Sequence, residues 1–257
     1  MDAGELQWLE SHLSRNRFLP TPPAELTFCG DGDYRAIGAE FLCHFIRLGD
    51  LRPEDRVLDI GCGIGRMAVP LTQYLSEKGS YAGVDIVKNG IDWCNRNISA
   101  KYPNFQFQHL DFHHPLYNPE GRSNAAQIRF PFPDGSFDFI CLASVITHIE
   151  AAVLLNYARE ISRLLAPGGR CFATAFLVNP PARDALRRGK ARIEIDPEGE
   201  GPEFHADPAA PMAAVAFDED FLLEKFLRFG RKRRRAPVYG CWSGRPSAVF
   251  QDICIFE

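Results

Sequence analysis

Short apolar runs alternate with segments of helical periodicity through the middle of the chain. The runs lie near residues 56–60, 80–85, 105–110, 137–143 and 170–178. The segments with apolar residues every three or four positions lie near residues 64–77, 88–101 and 150–166. Buried parallel strands are almost continuously apolar, and strands that alternate with helices favour a parallel sheet. The pattern therefore predicts an α/β fold with a doubly wound, mostly parallel sheet.

The two ends of the chain add further elements. Residues 1–50 carry two apolar stripes at helical spacing, which predict an N-terminal helical cap. Near the C-terminus a helix is expected from Phe217 to Phe229, followed by strands near 232–239 and 248–256. Because only a short link joins these two strands, we expect a hairpin, which makes the final strand antiparallel to the others.

The apolar run Val57–Ile60 ends in three glycines spaced two residues apart, Gly61, Gly63 and Gly65. Glycine adopts tight-turn conformations without a Cβ penalty, and helical spacing resumes at Met67. The stretch thus predicts a strand, a tight turn and a helix. In open α/β sheets, nucleotide-like ligands bind at this carboxyl end of a strand, where the backbone can approach them closely.

Acidic residues close the next two strands. Asp85 lies roughly 20 residues beyond the glycines, the spacing at which an acid binds the ribose hydroxyls of a nucleotide. An ionised carboxylate can accept two such hydroxyls at once. The third apolar segment ends at Asp111. A dinucleotide fingerprint needs a small residue where this chain has Arg66, which counts against a nicotinamide enzyme.

These landmarks, in this order over about residues 55–178, resemble those of the class I S-adenosylmethionine-dependent methyltransferases. The spacing of Asp59 and the three glycines is similar to motif I of that family, and Leu165-Ala166-Pro167-Gly168-Gly169 is similar to its helix-end motif. The resemblance implies a Rossmann-like, seven-stranded sheet, mostly parallel with an antiparallel last strand. It also implies S-adenosyl-L-methionine as cofactor and S-adenosyl-L-homocysteine as product.

The resemblance also implies individual cofactor contacts. The glycines are implied to approach the amino-acid part of the cofactor, with Asp59 holding the turn or reaching the ammonium, and Asp85 is implied to bind the ribose. Ile86 is implied to pack on the adenine, and Asp111 with Phe112 to recognise its edge. The full set of implied cofactor-binding residues is Asp59, Gly61, Gly63, Gly65, Asp85, Ile86, Asp111, Phe112 and Ser144.

Methyl transfer from a sulfonium needs an aligned nucleophile and a dry site, and it needs a base only when the acceptor must lose a proton. His148 follows the fourth strand, where related methyltransferases commonly place substrate-facing residues, and histidine suits a base at neutral pH. We predict His148 as the catalytic residue, with local packing at a helix start as the alternative. Candidate substrate contacts, each with packing or turn formation as its alternative, are Tyr34, His113, His114, Trp242 and Arg245.

The acceptor predicted from these features is a small molecule. We expect O-methylation of a small-molecule or sugar-like hydroxyl by in-line displacement, with N-methylation of a small molecule as the nearest alternative. The chain lacks the N-P-P-Y signature that resembles amino-methylating nucleic-acid enzymes, because the fourth strand ends Leu142-Ala143-Ser144-Val145. Two alternatives belong to other classes: a non-catalytic cofactor-binding partner protein and a nucleotide-dependent oxidoreductase.

Two long segments interrupt the predicted alternation of strands and helices. We expect residues 1–50 to form the cap and residues 51–257 the methyltransferase domain, with insertions at about 112–136 and 179–216. Both insertions exceed ordinary connection lengths. Loops at the carboxyl edge of a sheet carry specificity on a rigid scaffold, so the insertions are candidates for the acceptor pocket and its lid.

Composition bears on partners and location. With 257 residues and 46% hydrophobic content the chain can bury a large core, and its formal charge of −4 offers no global attraction to nucleic acid. It has no run of eighteen apolar residues and no leader with a basic and then an apolar part. We therefore expect a cytoplasmic protein with a small-molecule acceptor, no nucleic-acid partner and no membrane partner.

The cysteines, three histidines and a basic run give the remaining predictions. Eight scattered cysteines without C-x-x-C spacing predict reduced core thiols. His109, His113 and His114 are metal-ligand types but lack an evident fourth ligand, so no metal is predicted. The basic run Arg231–Arg235 favours a solvated strand edge that blunts aggregation, with a phosphate contact as the alternative. Acceptor identity and oligomeric state stay open.

Overall fold

The structure, a computed structural model, describes residues 1–28, 30, 32–199 and 201–257. The chain forms two compact units, the first from Met1–Asp111 with Phe137–Cys141 and the second from Phe112–Ser136 with Leu142–Glu257. Cys29, Asp31 and Glu200 lie outside the described residues.

The described residues form nine strands and seven α-helices. The strands are β1 (Arg56–Ile60), β2 (Ser80–Asp85), β3 (Phe105–His109), β4 (Phe137–Leu142), β5 (Leu165–Ala175), β6 (Leu177–Val178), β7 (Glu203–His205), β8 (Val215–Asp218) and β9 (Asp252–Phe256). The helices are α1 (Ala3–Arg15), α2 (Tyr34–Gly49), α3 (Ala68–Leu71), α4 (Lys88–Cys94), α5 (Ala151–Leu164), α6 (Pro180–Arg187) and α7 (Glu219–Arg228).

The central sheet has six strands in the order β3-β2-β1-β4-β5-β9. β1 pairs in parallel with β2 and β4, and β2 pairs in parallel with β3. β9 pairs antiparallel with β5 at the edge. The α/β fold with a mostly parallel central sheet and an antiparallel last strand is therefore confirmed.

The two N-terminal apolar stripes lie on α1 and α2 of the first unit. α1 begins with a capping box, in which the Asp2 carboxylate accepts from the Glu5 N–H and the Glu5 carboxylate accepts from the Asp2 N–H. Leu6 and Leu13 are buried on one face of this helix. At the start of α2, the Asp33 carboxylate accepts from the Ala36 N–H, a cap without the reciprocal bond. An acidic cap thus sets the start of each helix.

The helix after the glycine turn is much shorter than the predicted span of residues 64–77. Only Ala68–Leu71 is α-helical, and the following residues form turns with a mixture of hydrogen bonds to residues i−3 and i−4. Pro70 lies in the first turn of this helix, where proline is tolerated, so it does not account for the early end of the helix. The next predicted helix, 88–101, forms as α4 followed by a π-helical turn, Asn95–Ser99.

The strand predicted near 232–239 is replaced by isolated bridges, so among the described residues the central sheet has six continuous strands. Arg233 bridges Phe256 and Val238 bridges Ile253, both antiparallel to β9. Pro237 lies between the two bridges and has no N–H to donate to the neighbouring strand. The residues on its two sides pair with β9 in different registers. The predicted direction of the pairing is correct, but a continuous hairpin strand is wrong.

The second unit also holds a small sheet, in the order β6-β8-β7. β6 is parallel to β8, and β7 is antiparallel to it. Much of the segment predicted as an insertion, 179–216, is ordered as α6, β7 and the start of β8. Phe176, Phe204 and Trp242 belong to the buried cluster beside this sheet. The segment therefore has a core of its own.

Two further expectations concern cysteines and membranes. The described cysteines, which are all except Cys29, are buried and take part in no disulfide bond, as predicted for reduced core thiols. In the described ranges, no helix combines the length and the apolar character needed to cross a bilayer.

Candidate functional site

The three glycines after β1 all adopt left-handed backbone conformations. Their φ angles are 77° at Gly61, 57° at Gly63 and 75° at Gly65. Residues with a Cβ are strained in this region, which explains why the turn needs glycine. The Gly61 N–H donates to the Val84 carbonyl at 2.8 Å, so the loop crosses the end of β2.

Asp85, the last residue of β2, holds this glycine loop directly. Its Oδ2 accepts from the Gly63 N–H at 2.7 Å, and its Oδ1 accepts from the Val87 N–H at 2.7 Å. Burial raises the pKa of Asp85, and the N–H groups of Val87 and Gly63 act against that rise. A carboxylate has about four acceptor sites, and these two N–H groups together with that of Ile86 use at most three of them, so a site remains for a ribose hydroxyl.

Residues of two helices, α2 and α4, contact the glycine loop. The Tyr34 hydroxyl, at the start of α2, donates to the Ile64 carbonyl at 2.9 Å. On α4, a Cβ added to Gly90 would lie only 2.7 Å from the Gly63 carbonyl oxygen. Gly90 is not among the predicted site residues, although an isolated glycine inside a predicted helix is a signal of close packing. The structure therefore assigns Tyr34 and Gly90 to the support of the loop.

Asp59, on β1, is fully buried beneath the same loop. Its Oδ2 accepts from the Tyr81 hydroxyl at 2.6 Å. Burial raises its pKa to about 6, against the hydrogen bonds from Tyr81 and the Cys141 thiol. Among the described residues, Oδ1 of Asp59 is buried without a hydrogen-bond partner. A buried acceptor of this kind is normally satisfied, which leaves this oxygen suited to a cationic or hydrogen-bond-donating ligand.

The end of β3 is tied to the end of β2. The Leu110 N–H donates to the Asp85 carbonyl at 2.8 Å, and Nε2 of His109 lies 3.0 Å from the Ile86 carbonyl oxygen. Asp111 follows directly. The carboxyl ends of three adjacent parallel strands thus bring together the glycine loop, the ribose candidate and the adenine candidates of the first unit.

This donor and acceptor set fits an adenosyl amino acid. The left-handed glycines allow close backbone approach, Asp85 keeps an acceptor site, and Asp59 has a buried oxygen without a partner. An adenosyl sulfonium supplies an activated methyl group and carries both a ribose and an ammonium. The features of the first unit match these two polar groups.

Residues 57–169 match the family model described as a methyltransferase domain. This stretch is a methyltransferase domain. The resemblance of the motifs to a methyltransferase is thus confirmed for this stretch, and S-adenosyl-L-methionine is the cofactor that the resemblance implies. The match also argues against the oxidoreductase alternative.

Similar proteins agree with this assignment. The chain is 23% identical to demethylmenaquinone methyltransferase of Bacillus cereus over 132 residues, which make up 51% of this chain and 49% of that protein. The chain thus spans about half the length of the curated relatives it matches. A solved protein of Pyrococcus horikoshii OT3 is 17% identical over 90% of this chain and 94% of its own, with a TM-score of 0.61. A solved SAM-dependent methyltransferase of Methanosarcina mazei is 20% identical to this chain, with a TM-score of 0.53. The match covers 80% of this chain and 93% of that protein. These structures share the fold.

Ser144 follows the fourth strand of the methyltransferase domain in a strained conformation. Its φ is 60°, which is uncommon for a residue with a Cβ and marks sites where surroundings impose the backbone. The Ser144 N–H donates to Oγ1 of Thr174 at 2.8 Å, and the Gln251 amide donates to the Ser144 hydroxyl at 3.0 Å. Two elements of the second unit therefore hold Ser144 in place.

His148 lies in a cluster of aromatic and histidine rings in the second unit. Its Nδ1 is 3.0 Å from the Met212 carbonyl oxygen, and the Tyr117 ring meets it edge-on at 5.5 Å. Burial lowers the pKa of His148, against its hydrogen bond with Met212. His148 ends a single 3₁₀ turn, Ile146–His148, and α5 begins at Ala151. The Met212 carbonyl therefore holds the His148 ring, which does not cap a helix.

His114 supports this cluster with both of its ring nitrogens. Nε2 lies 2.8 Å from the His148 carbonyl oxygen, and Nδ1 accepts from the N–H groups of Leu116 and Tyr117 at 3.2 Å each. Burial lowers its pKa, which agrees with a neutral ring whose Nδ1 is an acceptor. His114 is thus engaged within the protein, whereas the neighbouring His113 is exposed, with Nδ1 3.0 Å from the Pro119 carbonyl.

The Phe112 side chain is buried in the second unit, and its backbone bridges Ser123 in parallel. The Asn118 amide donates to the Phe112 carbonyl at 2.7 Å. These contacts order the start of the 112–136 segment. Among the described residues, no group of three or more His, Cys, Asp or Glu side chains is arranged to hold a metal ion.

The C-terminal candidates Trp242 and Arg245 make extensive internal contacts. Trp242 is fully buried, and its Nε1 donates to the Asp252 carboxylate at 2.6 Å. The Arg245 guanidinium stacks 4.1 Å above the Tyr239 ring and donates to the Asn179 amide oxygen at 2.5 Å. Packing accounts for both residues without a ligand, which favours the structural alternative stated for them.

A substitution at Gly63 tests the loop. We expect Gly63→Ala to weaken S-adenosylhomocysteine binding about tenfold, because a Cβ costs roughly 1–2 kcal/mol in a left-handed conformation and shifts the N–H that Asp85 holds. Isothermal titration calorimetry measures the affinity. Gly189→Ala is the matched control, since Gly189 has a φ of 62° with no atom near its missing Cβ. The control should lose similar stability and keep its affinity; equal affinity losses would contradict the loop assignment.

Proposed function

We propose that the chain is a small-molecule O-methyltransferase in which His148 acts as general base toward a hydroxyl acceptor. The hydrogen bond between Nδ1 of His148 and the Met212 carbonyl oxygen supports this role most directly. A carbonyl oxygen only accepts, so Nδ1 carries the proton in the neutral ring. The lone pair is then on Nε2, the nitrogen that takes up a proton.

The ionisation of His148 suits the same role. A lowered pKa keeps the ring neutral, and therefore basic, at neutral pH. A hydroxyl nucleophile must lose its proton as the methyl group transfers, and a fixed imidazole can accept that proton. A neutral amine acceptor has its lone pair ready, so it depends less on a base. The fixed tautomer therefore favours O-methylation over the N-methylation alternative.

The cofactor side of the proposal uses the first unit. Asp85 would bind the ribose hydroxyls, the glycine loop would face the amino-acid part, and the partnerless oxygen of Asp59 would meet the ammonium. Ile86 and Asp111 would meet the adenine. Ser144 and Phe112 belong to the second unit, and their cofactor contacts stay predictions.

The acceptor class rests on two kinds of support. The curated relatives are named for a small molecule, demethylmenaquinone, which supports a small-molecule acceptor here. The segments 112–136 and 179–216, whose described residues include α6 and β7, offer candidate surfaces for such a ligand. The division into a cap of residues 1–50 and a domain of residues 51–257, with these insertions, belongs to this proposal.

Methyl-labelled S-adenosylmethionine tests the proposal. The protein is incubated with panels of small-molecule hydroxyls and amines, and labelled products are identified by mass spectrometry. Label on hydroxyl oxygen supports the proposal, and label only on nitrogen would replace it with N-methylation. S-adenosylhomocysteine binding with no product from any panel, together with a partner protein that restores turnover, would instead establish the non-catalytic alternative.

The pH dependence of turnover gives a second test. Because protonation inactivates a base and burial lowers the pKa of His148 below its ordinary value of 6.5, we expect the acid limb of turnover to be centred below pH 6.5. The measurement is kcat against pH with saturating cofactor and acceptor. His113→Asn serves as control and should leave the profile unchanged. An acid limb centred above pH 6.5 would contradict the assignment.

A further inference from the structure

The first eighteen residues expose an unusual amount of apolar surface. Met1, Trp8 and Phe18 are 58%, 64% and 86% exposed, and they are three of the six large apolar side chains that are exposed in the described part of the chain. The opposite face of α1 buries Leu6 and Leu13, so the helix is anchored and its outer face is free for another contact. Single exposed apolar residues are ordinary, but a contiguous group marks an interaction site.

Basic side chains surround these aromatic rings. Trp8 and Phe18 line a groove of about 650 Å³, whose other lining residues are Ser11, His12, Arg15, Asn16 and Arg17. No lining residue is acidic, so the groove carries two permanent positive charges in a chain whose formal charge is −4. We call these seven residues the N-terminal patch.

Ring contacts preorganise the N-terminal patch. The Trp8 and His12 rings stack with centroids 5.0 Å apart, and the Arg17 guanidinium lies 5.7 Å from the Phe18 ring centroid. These contacts place the two aromatic rings beside basic side chains on one surface. The acidic residues of α1, Glu5 and Glu10, do not line the groove, and the Glu5 carboxylate caps the helix start.

We propose that the N-terminal patch docks the protein on an anionic lipid surface. Tryptophan and phenylalanine insert at the boundary between headgroups and acyl chains, and arginines bind anionic headgroups. Single-stranded nucleic acid, which also stacks on aromatics, needs a longer basic track than two arginines provide. This proposal is independent of the acceptor, and it departs from the expectation of no membrane partner.

Vesicle binding tests the proposal with a built-in optical reporter. Of the three tryptophans, Trp93 and Trp242 are 6% and 0% exposed, so a change in tryptophan emission reports Trp8. The full chain is titrated with vesicles of phosphatidylcholine alone and of phosphatidylcholine mixed with phosphatidylglycerol. We expect binding and a blue shift of emission with the anionic vesicles, and little of either with the neutral ones.

Side-chain variants show whether the patch is responsible. The double variant Arg17→Gln/Phe18→Ser should lower vesicle affinity tenfold or more, since each basic residue near an anionic surface and each inserted ring contributes to binding. The control Leu227→Ser/Arg228→Gln removes a 46% exposed leucine and its neighbouring arginine from α7 and should keep full affinity. S-adenosylhomocysteine affinity checks that both variants are folded.

Three results would overturn the proposal. These are equal binding to neutral and anionic vesicles, unchanged binding by the patch variant, and binding to poly-uridylate in place of vesicles with the same side-chain dependence. Methyl transfer need not be measured, so failure here leaves the proposed function untouched.

Discussion

Replacing Asp85 with alanine should lower the affinity for S-adenosylhomocysteine by a hundredfold or more. The carboxylate would supply two hydrogen bonds to the ribose, and each hydrogen bond to a charged group contributes about 1.5–3 kcal/mol. The substitution also releases the N–H groups of Gly63 and Val87, which Asp85 holds at 2.7 Å each. The glycine loop then loses both its ligand contact and its anchor, so the two effects add in the same direction.

Calorimetric titration of folded variants measures this loss. Asp92→Ala is the matched control, because Asp92 is an acid nearby on α4 that pairs with the exposed Lys88 at 2.7 Å. It should keep normal affinity. Asp85→Asn keeps one acceptor oxygen and should bind with intermediate affinity. Near-normal binding by a folded Asp85→Ala variant would show that the carboxylate does not contact the ribose.

Replacing His148 with asparagine should lower turnover by about a hundredfold to ten-thousandfold, the range that general base catalysis contributes. Asparagine can still donate to a carbonyl such as that of Met212, but it cannot accept the proton of a hydroxyl acceptor. The cofactor affinity should stay within about twofold, because His148 is not among the residues assigned to the cofactor. A loss in kcat with unchanged binding separates catalysis from folding.

Two neighbouring histidines provide the comparison. His113 is exposed, and His113→Asn should keep normal turnover. His114 bonds the His148 carbonyl at 2.8 Å, so His114→Asn should lower kcat less than His148→Asn does and leave the acid limb of the pH profile in place. A His148→Asn variant that turns over at the normal rate would remove the residue from catalysis and leave it a packing role.

Local patterns predicted the central strands well for a simple reason. A strand must be apolar wherever its side chains face the core, and β1, β2, β3 and β4 each begin within one residue of the start of their apolar segments. The glycine turn was equally predictable, since only glycine adopts its left-handed conformations without strain. Where a proline removed a donor from the ladder, as at Pro237, the apolar pattern continued but the strand did not.

Side-chain roles were harder to predict because partners are distant in the chain. The amino-acid order indicates that His148 follows a strand, but its ring is oriented by the carbonyl of Met212, 64 residues later. Trp242 and Arg245 have residue types common in binding sites, yet Trp242 is fully buried against Asp252. Such pairings depend on which elements pack together, and the local pattern does not contain that information.

The sequence by itself determined the fold class, the glycine turn, the acid at the end of β2 and the family, because each follows from short-range backbone and burial requirements. Only the tertiary structure decided that Asp85 anchors Gly63, that Tyr34 and Gly90 support the loop, and that His148 carries its proton on Nδ1. It also decided that Trp8 and Phe18 share one exposed basic surface. These properties depend on distances between residues far apart in the chain, which packing alone sets.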